Sequence, residues 1–152
     1  MRLLTLLALA FVAQLNADPL PEELRQNGWF IGCQAYTFNR FSAFEAIAKT
    51  KEAGGNMIEF YPGQTLKPGS KDKVNHSMSA EAMAELQAEL KRQGIKAVNY
   101  GVVGANNAEE VNKIMAFAKK MGLYAVCTES TEQIAAWEKA AIETDIKVAF
   151  HE

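Results

Sequence analysis

From Trp29 onward, short apolar runs of strand character alternate with longer amphipathic stretches, and few folds accept that rhythm. "WFIGCQAYTF" is the first such run. "SAFEAIAKTKEAG" follows it, with Ser42 and Glu45 spaced as a capping box and Phe44, Ile47 and Ala48 on one face. Gly54 or Gly55 is placed to end that helix in a left-handed cap. "NMIEFY" is the second run and "IKAVNYGVV" the third. Between them the spacing predicts a helix opened by Ser79, with Met83, Leu86, Gln87 and Leu90 inward and Gly94 as its stop. Asn107 opens the next helix, with Val111, Ile114, Met115 and Ala118 as its stripe and Gly122 as its end. "LYAVCTES" is the fourth run. Ser130 or Thr131 opens a helix carrying Ile134, Trp137 and Ala141, and "IKVAF" is the fifth run.

Strands separated by helices of this length predict right-handed βαβ units and a parallel sheet. The fold class expected is α/β, as either an open doubly wound sheet or the first five strands of a (β/α)8 barrel. No glycine-rich phosphate loop follows the first strand, where a dinucleotide fold requires one. "GVVGAN" is a loose glycine pair and reads as a tight βα turn. A barrel typically needs about 250 residues, so the barrel reading makes this chain the N-terminal part of a longer protein.

The first residues have the pattern of a secretory signal: Arg2, the apolar run Leu3 to Val12, and a small residue, Ala17, at the expected cleavage point. The run is shorter than the roughly 20 residues of a spanning helix. The expected divisions are a signal at 1–17, a polar lead at 18–28 and a partial barrel at 29–152. The expected location is periplasmic or secreted, with no stable membrane anchor after cleavage. Sixteen basic residues stand against eighteen acidic ones, for a net charge of −2. No basic stripe appears, which argues against nucleic acid as a partner. Cys33 and Cys127 lie in apolar runs and read as buried thiols, although an oxidising compartment would permit a disulfide.

Parallel α/β folds gather their chemistry at the C-terminal ends of the strands. Those ends carry Gln34, Tyr36, Asn39 and Arg40; then Glu59, Tyr61 and Gln64; then Asn99 and Tyr100; then Thr128 and Glu129; and finally His151 and Glu152. Such a rim suits a small carbohydrate, whose hydroxyls pair with Gln34, Tyr36, Tyr61, Gln64 and Asn99 and whose faces pack on aromatic rings. Glu59 reads either as a proton-transfer group or as a carboxylate paired with Arg40 or a lysine. Glu129 reads either as a functional carboxylate or as a helix N-terminal charge. Glu129 and His151, at the ends of consecutive strands, form a mixed O/N pair suited to a divalent ion such as Mn, Co, Zn or Mg. His76, in the loop from Pro62 to Ser77, reads as solvated. That loop exceeds the usual length of about 12 residues, which marks it as a rim or lid.

The stretches "GCQAYTFNRFSAFEAIAKTKEAGGNMIEFYPGQTL" and "IKVAFHE" resemble the sugar phosphate isomerase/epimerase superfamily, the xylose isomerase-like TIM barrels, and within it exported bacterial members. The resemblance covers about Trp29 to Glu152. It implies a (β/α)8 barrel, a divalent metal at the C-terminal face, and proton transfer next to a sugar carbonyl through an enediolate. Many members end the fifth strand in a metal-ligating Glu. Here His151 stands at that place with Glu152 after it, which implies His151 and Glu129 as ligands and leaves Glu59 or Glu129 as the proton-transfer carboxylate. The alternatives are a lyase or hydratase acting on an oxidised sugar, a non-catalytic carbohydrate-binding barrel, and a self-sufficient five-strand binding domain.

Overall fold

The structure, a computed structural model, describes residues 20–152. The signal-sequence reading falls at 1–17, outside the described residues.

The sheet consists of β3 (Gly32–Gln34), β4 (Met57–Phe60), β5 (Lys96–Tyr100), β6 (Ala125–Thr128) and β7 (Lys147–Phe150). All neighbours are parallel, and their order in space is their order in the chain. The crossovers carry α1 (Ala43–Glu52), α2 (Ala80–Gln93), α3 (Ala108–Met121) and α4 (Ile134–Thr144). Right-handed crossovers between strands that never reverse direction of travel lay every helix on the same face. A doubly wound sheet needs a reversal to cover both faces, and this one has none. The arrangement is α/β and corresponds to part of a TIM-like barrel. Over the described residues β3 and β7 are the two edges of the sheet, so the barrel is not closed.

The first apolar run divides differently from the sequence expectation. Trp29–Phe30 (β2) does not join the sheet but pairs antiparallel with Arg25–Gln26 (β1). The cause is the turn between them, Asn27-Gly28, whose φ angles of 48° and 87° suit the tightest hairpin. Ala35 to Phe38 then coils into a 3-10 turn, so only three residues of the run ladder with β4.

The helix punctuation follows local chemistry. Ser42 and Glu45 form the reciprocal capping box at the start of α1. Ser79 and Asn107 accept from the backbone N–H groups of Ala82 and Glu110. Gly94 and Gly122 close α2 and α3 in the left-handed conformation. Ser130 does not cap its helix; its Oγ accepts from the Ala105 N–H instead, and a 3-10 turn at Thr131–Gln133 precedes α4.

The core lies between the helices and the outer face of the sheet. Ile47, Ile58, Phe60, Leu86, Tyr100, Val111, Ile114, Met115, Val126 and Trp137 are all buried there. Three expected inward positions face solvent: Ala48, Gln87 and Ile134. Ala46 and Ala82 are buried on α1 and α2. The rest of the expected stripe lies inward, with Ile47, Leu86, Leu90, Trp137 and every expected position on α3 buried. The cysteines are free thiols, as the main reading expects, but they are only half-buried. No described helix is long and apolar enough to cross a membrane.

The segment after β4 is an ordered wall. Gly63 N donates to Val74 O at 2.8 Å, Val74 N to Gln64 O at 2.8 Å, and Leu66 N to Asp72 O at 2.9 Å. Leu66 and Val74 are fully buried beneath it. Ala43 N and Phe44 N donate to Thr65 O and Leu66 O, which fastens the wall to the start of α1. His76 is half-buried, contrary to the sequence reading, because its ring meets Tyr100, with Nδ1 3.4 Å from the phenol oxygen.

Candidate functional site

At the C-terminal ends of the strands the inner face of the sheet opens into a depression of about 630 Å³. It is lined by Gln34, Tyr36, Glu59, Tyr61, Pro62, Val102, Cys127 and His151. Strand alternation explains the membership: on each strand every second side chain points away from the helices. Gly101 allows the walls to approach, since a Cβ there would lie 2.5 Å from the Cβ and carbonyl oxygen of Cys127.

Glu59 is the ionisable group set deepest in this depression. Burial pushes its carboxyl above the ordinary 4.5, a shift opposed by a hydrogen bond from Asn99 and by the nearby His151. The Asn99 contact has a backbone origin. The register between β4 and β5 slips after Ile58, which pairs with Ala97, so that Glu59 pairs with Asn99. Among the described residues Glu59 has no ion-pair partner; the Arg40 or lysine pairing considered from sequence does not form.

His151 reaches the same depression from the other edge. Its backbone N–H donates to Thr128 O at 2.9 Å, extending the ladder of β7 by one residue. Its Nδ1 lies 2.9 Å from Glu129 Oε1. With the carboxylate accepting, the proton sits on Nδ1 and Nε2 remains free to bind an ion on the side of the ring away from Glu129; for both side chains to bind the same ion, the Nδ1–Glu129 contact must be released. Both side chains are more than half exposed. Glu129 and Glu152 are both exposed and neither lines the depression; Glu129 touches it through His151. As a donor set the pair matches the mixed O/N chemistry of a divalent ion. It supplies two ligands; among the described residues no group of three or more His, Cys, Asp and Glu side chains gathers at one point.

The polar residues expected to meet a sugar have separate fates. Tyr36 and Tyr61 stand edge to face with ring centroids 5.0 Å apart, both on the depression. Gln34 lines it too, but its amide also braces the backbone: Oε1 accepts from Tyr36 N at 2.6 Å, and Nε2 donates to Gly101 O at 3.3 Å. Asn99 is not on the lining; its Oδ1 accepts from Tyr100 N, and it hydrogen-bonds to Glu59. Gln64 lines a separate polar hollow between the first two βα loops and not this depression. It is buried, and its Nε2 donates to Phe38 O and Phe41 O, tying the two βα loops together. Its Oε1 is buried without a partner.

Cys127, Pro62 and Val102 are lining residues that the sequence reading did not place in the site. The signal for Cys127 was available, since it shares alternation with Glu129. Burial raises its thiol above the ordinary range, and the charges of Glu59 and Glu129 act in the same direction. Cys127 therefore stays protonated and is a poor nucleophile. A second depression, of about 320 Å³, lies at the opposite end of the sheet among Lys96, Tyr124 and Ile146, with Leu20 and Pro21 against it. That end lacks the strand-terminal carboxylates and imidazole.

Comparison with known proteins gives a structural relative and no family. No family model matches the chain, and no curated protein matches it. The solved structure of an uncharacterised protein from Parabacteroides distasonis is 32% identical with a TM-score of 0.77, over 81% of this chain and 52% of that one. This chain thus spans about half the length of that relative. A GH18 chitinase from Pseudoalteromonas aurantia is 12% identical with a TM-score of 0.37, over 72% of this chain and 52% of the chitinase. At that score the likeness carries no argument about activity.

Proposed function

We propose that this chain is the N-terminal part of an exported, divalent-metal-dependent enzyme of the sugar isomerase or epimerase type, moving a proton next to a sugar carbonyl. The observation that carries the reading is one depression shared by a carboxyl of raised pKa, Glu59, and an imidazole, His151, held by a second carboxylate, Glu129. A half-buried carboxyl of raised pKa holds a proton more firmly than an ordinary one and can both accept and return it. Asn99 opposes the rise through a hydrogen bond to that carboxyl. Tyr36 and Tyr61 offer ring surface to a sugar, with Gln34 between them and the sheet. Glu129 and His151 would hold the ion, with further ligands coming from the remainder of the protein. When bound, a divalent ion polarises the sugar carbonyl and stabilises the negative charge that develops on its oxygen.

Calorimetric titration of the full-length gene product with Mn²⁺ tests the ligand assignment. His151→Ala should weaken binding at least about tenfold, the loss expected when a ligand or its supporting shell is removed. Glu152→Ala should leave it unchanged. Full affinity in the His151→Ala protein with loss in Glu152→Ala would overturn the assignment.

A further inference from the structure

The two tyrosines of the depression come from different loops. Tyr36 sits in the 3-10 turn Ala35–Phe38 after β3, and Tyr61 follows β4 directly. Three residues beyond Tyr61, Gln64 is only 2% exposed, and its Nε2 donates to Phe41 O at 3.2 Å and to Phe38 O at 3.4 Å. We infer that Gln64 is a positioning residue: it sets the first loop against the second, so that the rings of Tyr36 and Tyr61 meet as one aromatic surface, and thereby governs sugar affinity without taking part in metal binding. The inference rests on the carbohydrate reading of the depression and adds the residue that shapes its aromatic side.

The hydrogen bonds of the first loop single out this side chain. Over Tyr36 to Phe41 the other bonds among the described residues are local: Tyr36 N to Gln34 Oε1, Asn39 N to Tyr36 O and Phe41 N to Phe38 O. None of these reaches the second loop. The backbone bonds from Ala43 N and Phe44 N to Thr65 O and Leu66 O begin only at the start of α1. The start of the turn is fixed by the Gln34 bond and by the full burial of Ala35, and its far end is gripped by Gln64. Gln64 is the anchored partner, because its own carbonyl accepts from Val74 N at 2.8 Å within the packed wall. An amide nitrogen carries two hydrogens, and here two carbonyls take them. The amide oxygen is buried with no donor. A buried unpaired acceptor destabilises a fold, and a methionine of similar length would avoid that loss. A methionine has no donor for the two carbonyls, so holding the loop is what the glutamine supplies. The outcome of that hold is the edge-to-face contact of Tyr36 and Tyr61, with centroids 5.0 Å apart.

The test is calorimetric titration of the full-length gene product with glucose, galactose and fructose, and separately with Mn²⁺, in wild type, Gln64→Met and Gln64→Glu. Gln64→Met should weaken the sugars that wild type binds by about threefold to tenfold, the scale of one aromatic contact, and leave Mn²⁺ affinity unchanged. Gln64→Glu supplies a rescue that a merely structural role would not show. Its carboxylate at pH 8 has no proton to donate and should match the Met variant, while its protonated form at pH 5 donates to one carbonyl and should recover toward wild type measured at the same pH. Sugar affinity undiminished in Gln64→Met, sugar and Mn²⁺ affinities falling together, or a Gln64→Glu protein whose affinity relative to wild type is the same at both pH values would overturn this inference and leave the carbohydrate reading standing. Failure of wild type to bind any of the three sugars would remove the carbohydrate reading of the depression, and this inference with it.

Discussion

Glu59 shows how one residue's environment makes a testable chemical statement. Its carboxyl is raised by burial, which outweighs the opposing hydrogen bond from Asn99 and the nearby His151. Below the ordinary 4.5 the folded and unfolded chains both hold the proton, and the group costs nothing. As pH rises through the higher folded value, the folded state must ionise a half-buried carboxyl, and the stability that protonation contributes is lost. Glu59→Gln removes that loss. Thermal melts of the two proteins should therefore diverge as pH climbs above 4.5, with the Gln variant the more stable near neutrality, and converge below it. A Gln variant that is less stable at neutral pH would mean the carboxylate is compensated by a partner. Residue identity at strand ends was legible in the sequence, because period-two alternation and a terminal position suffice to mark Glu59, Glu129 and His151. The Asn99 role was not legible. It depends on the one-residue slip after Ile58, and a bulge leaves no mark in an apolar strand pattern.

At the level of elements, the caps and stops of α1, α2 and α3 were legible because each is a contact within a few residues. The Asn27-Gly28 hairpin carried a local signal of equal strength that the apolar run beside it obscured. The long segment after β4 was legible only as long. Its internal pairing, Thr65 against Lys73, and the burial of Leu66 and Val74 depend on its docking against the start of α1, which lies well upstream in the chain. This segment is a packed wall, and its stability belongs to the core. Leu66→Ala should cost about 2–5 kcal/mol in denaturant unfolding, as a fully buried leucine does elsewhere. A loss near zero would show instead that the wall opens freely and acts as a flap.

On the scale of the molecule, five parallel strands in chain order place every helix on one face and leave the other face to form a rim. That topology was legible from the strand–helix rhythm, and the absence of a reversal decides between barrel and doubly wound arrangements. The sheet presents β3 and β7 as edges, with Phe150 exposed on one of them. Edges of this kind invite pairing with further strands, and about half of the solved relative lies outside the matched region. The gathering of Glu59, His151, Tyr36 and Tyr61 from three strands and their loops into one depression is a whole-molecule property that no single segment announces. Solvent-deuterium exchange by the full-length gene product, loaded with Mn²⁺ and given neutral and acidic sugars in D2O, tests that gathering most directly. Deuterium should enter at the carbon next to the carbonyl of at least one sugar, cease on chelation, and slow by about a hundredfold or more in Glu59→Gln, as loss of a general acid–base group does. Exchange that is undiminished in Glu59→Gln, or absent with every sugar, would contradict the proposed site.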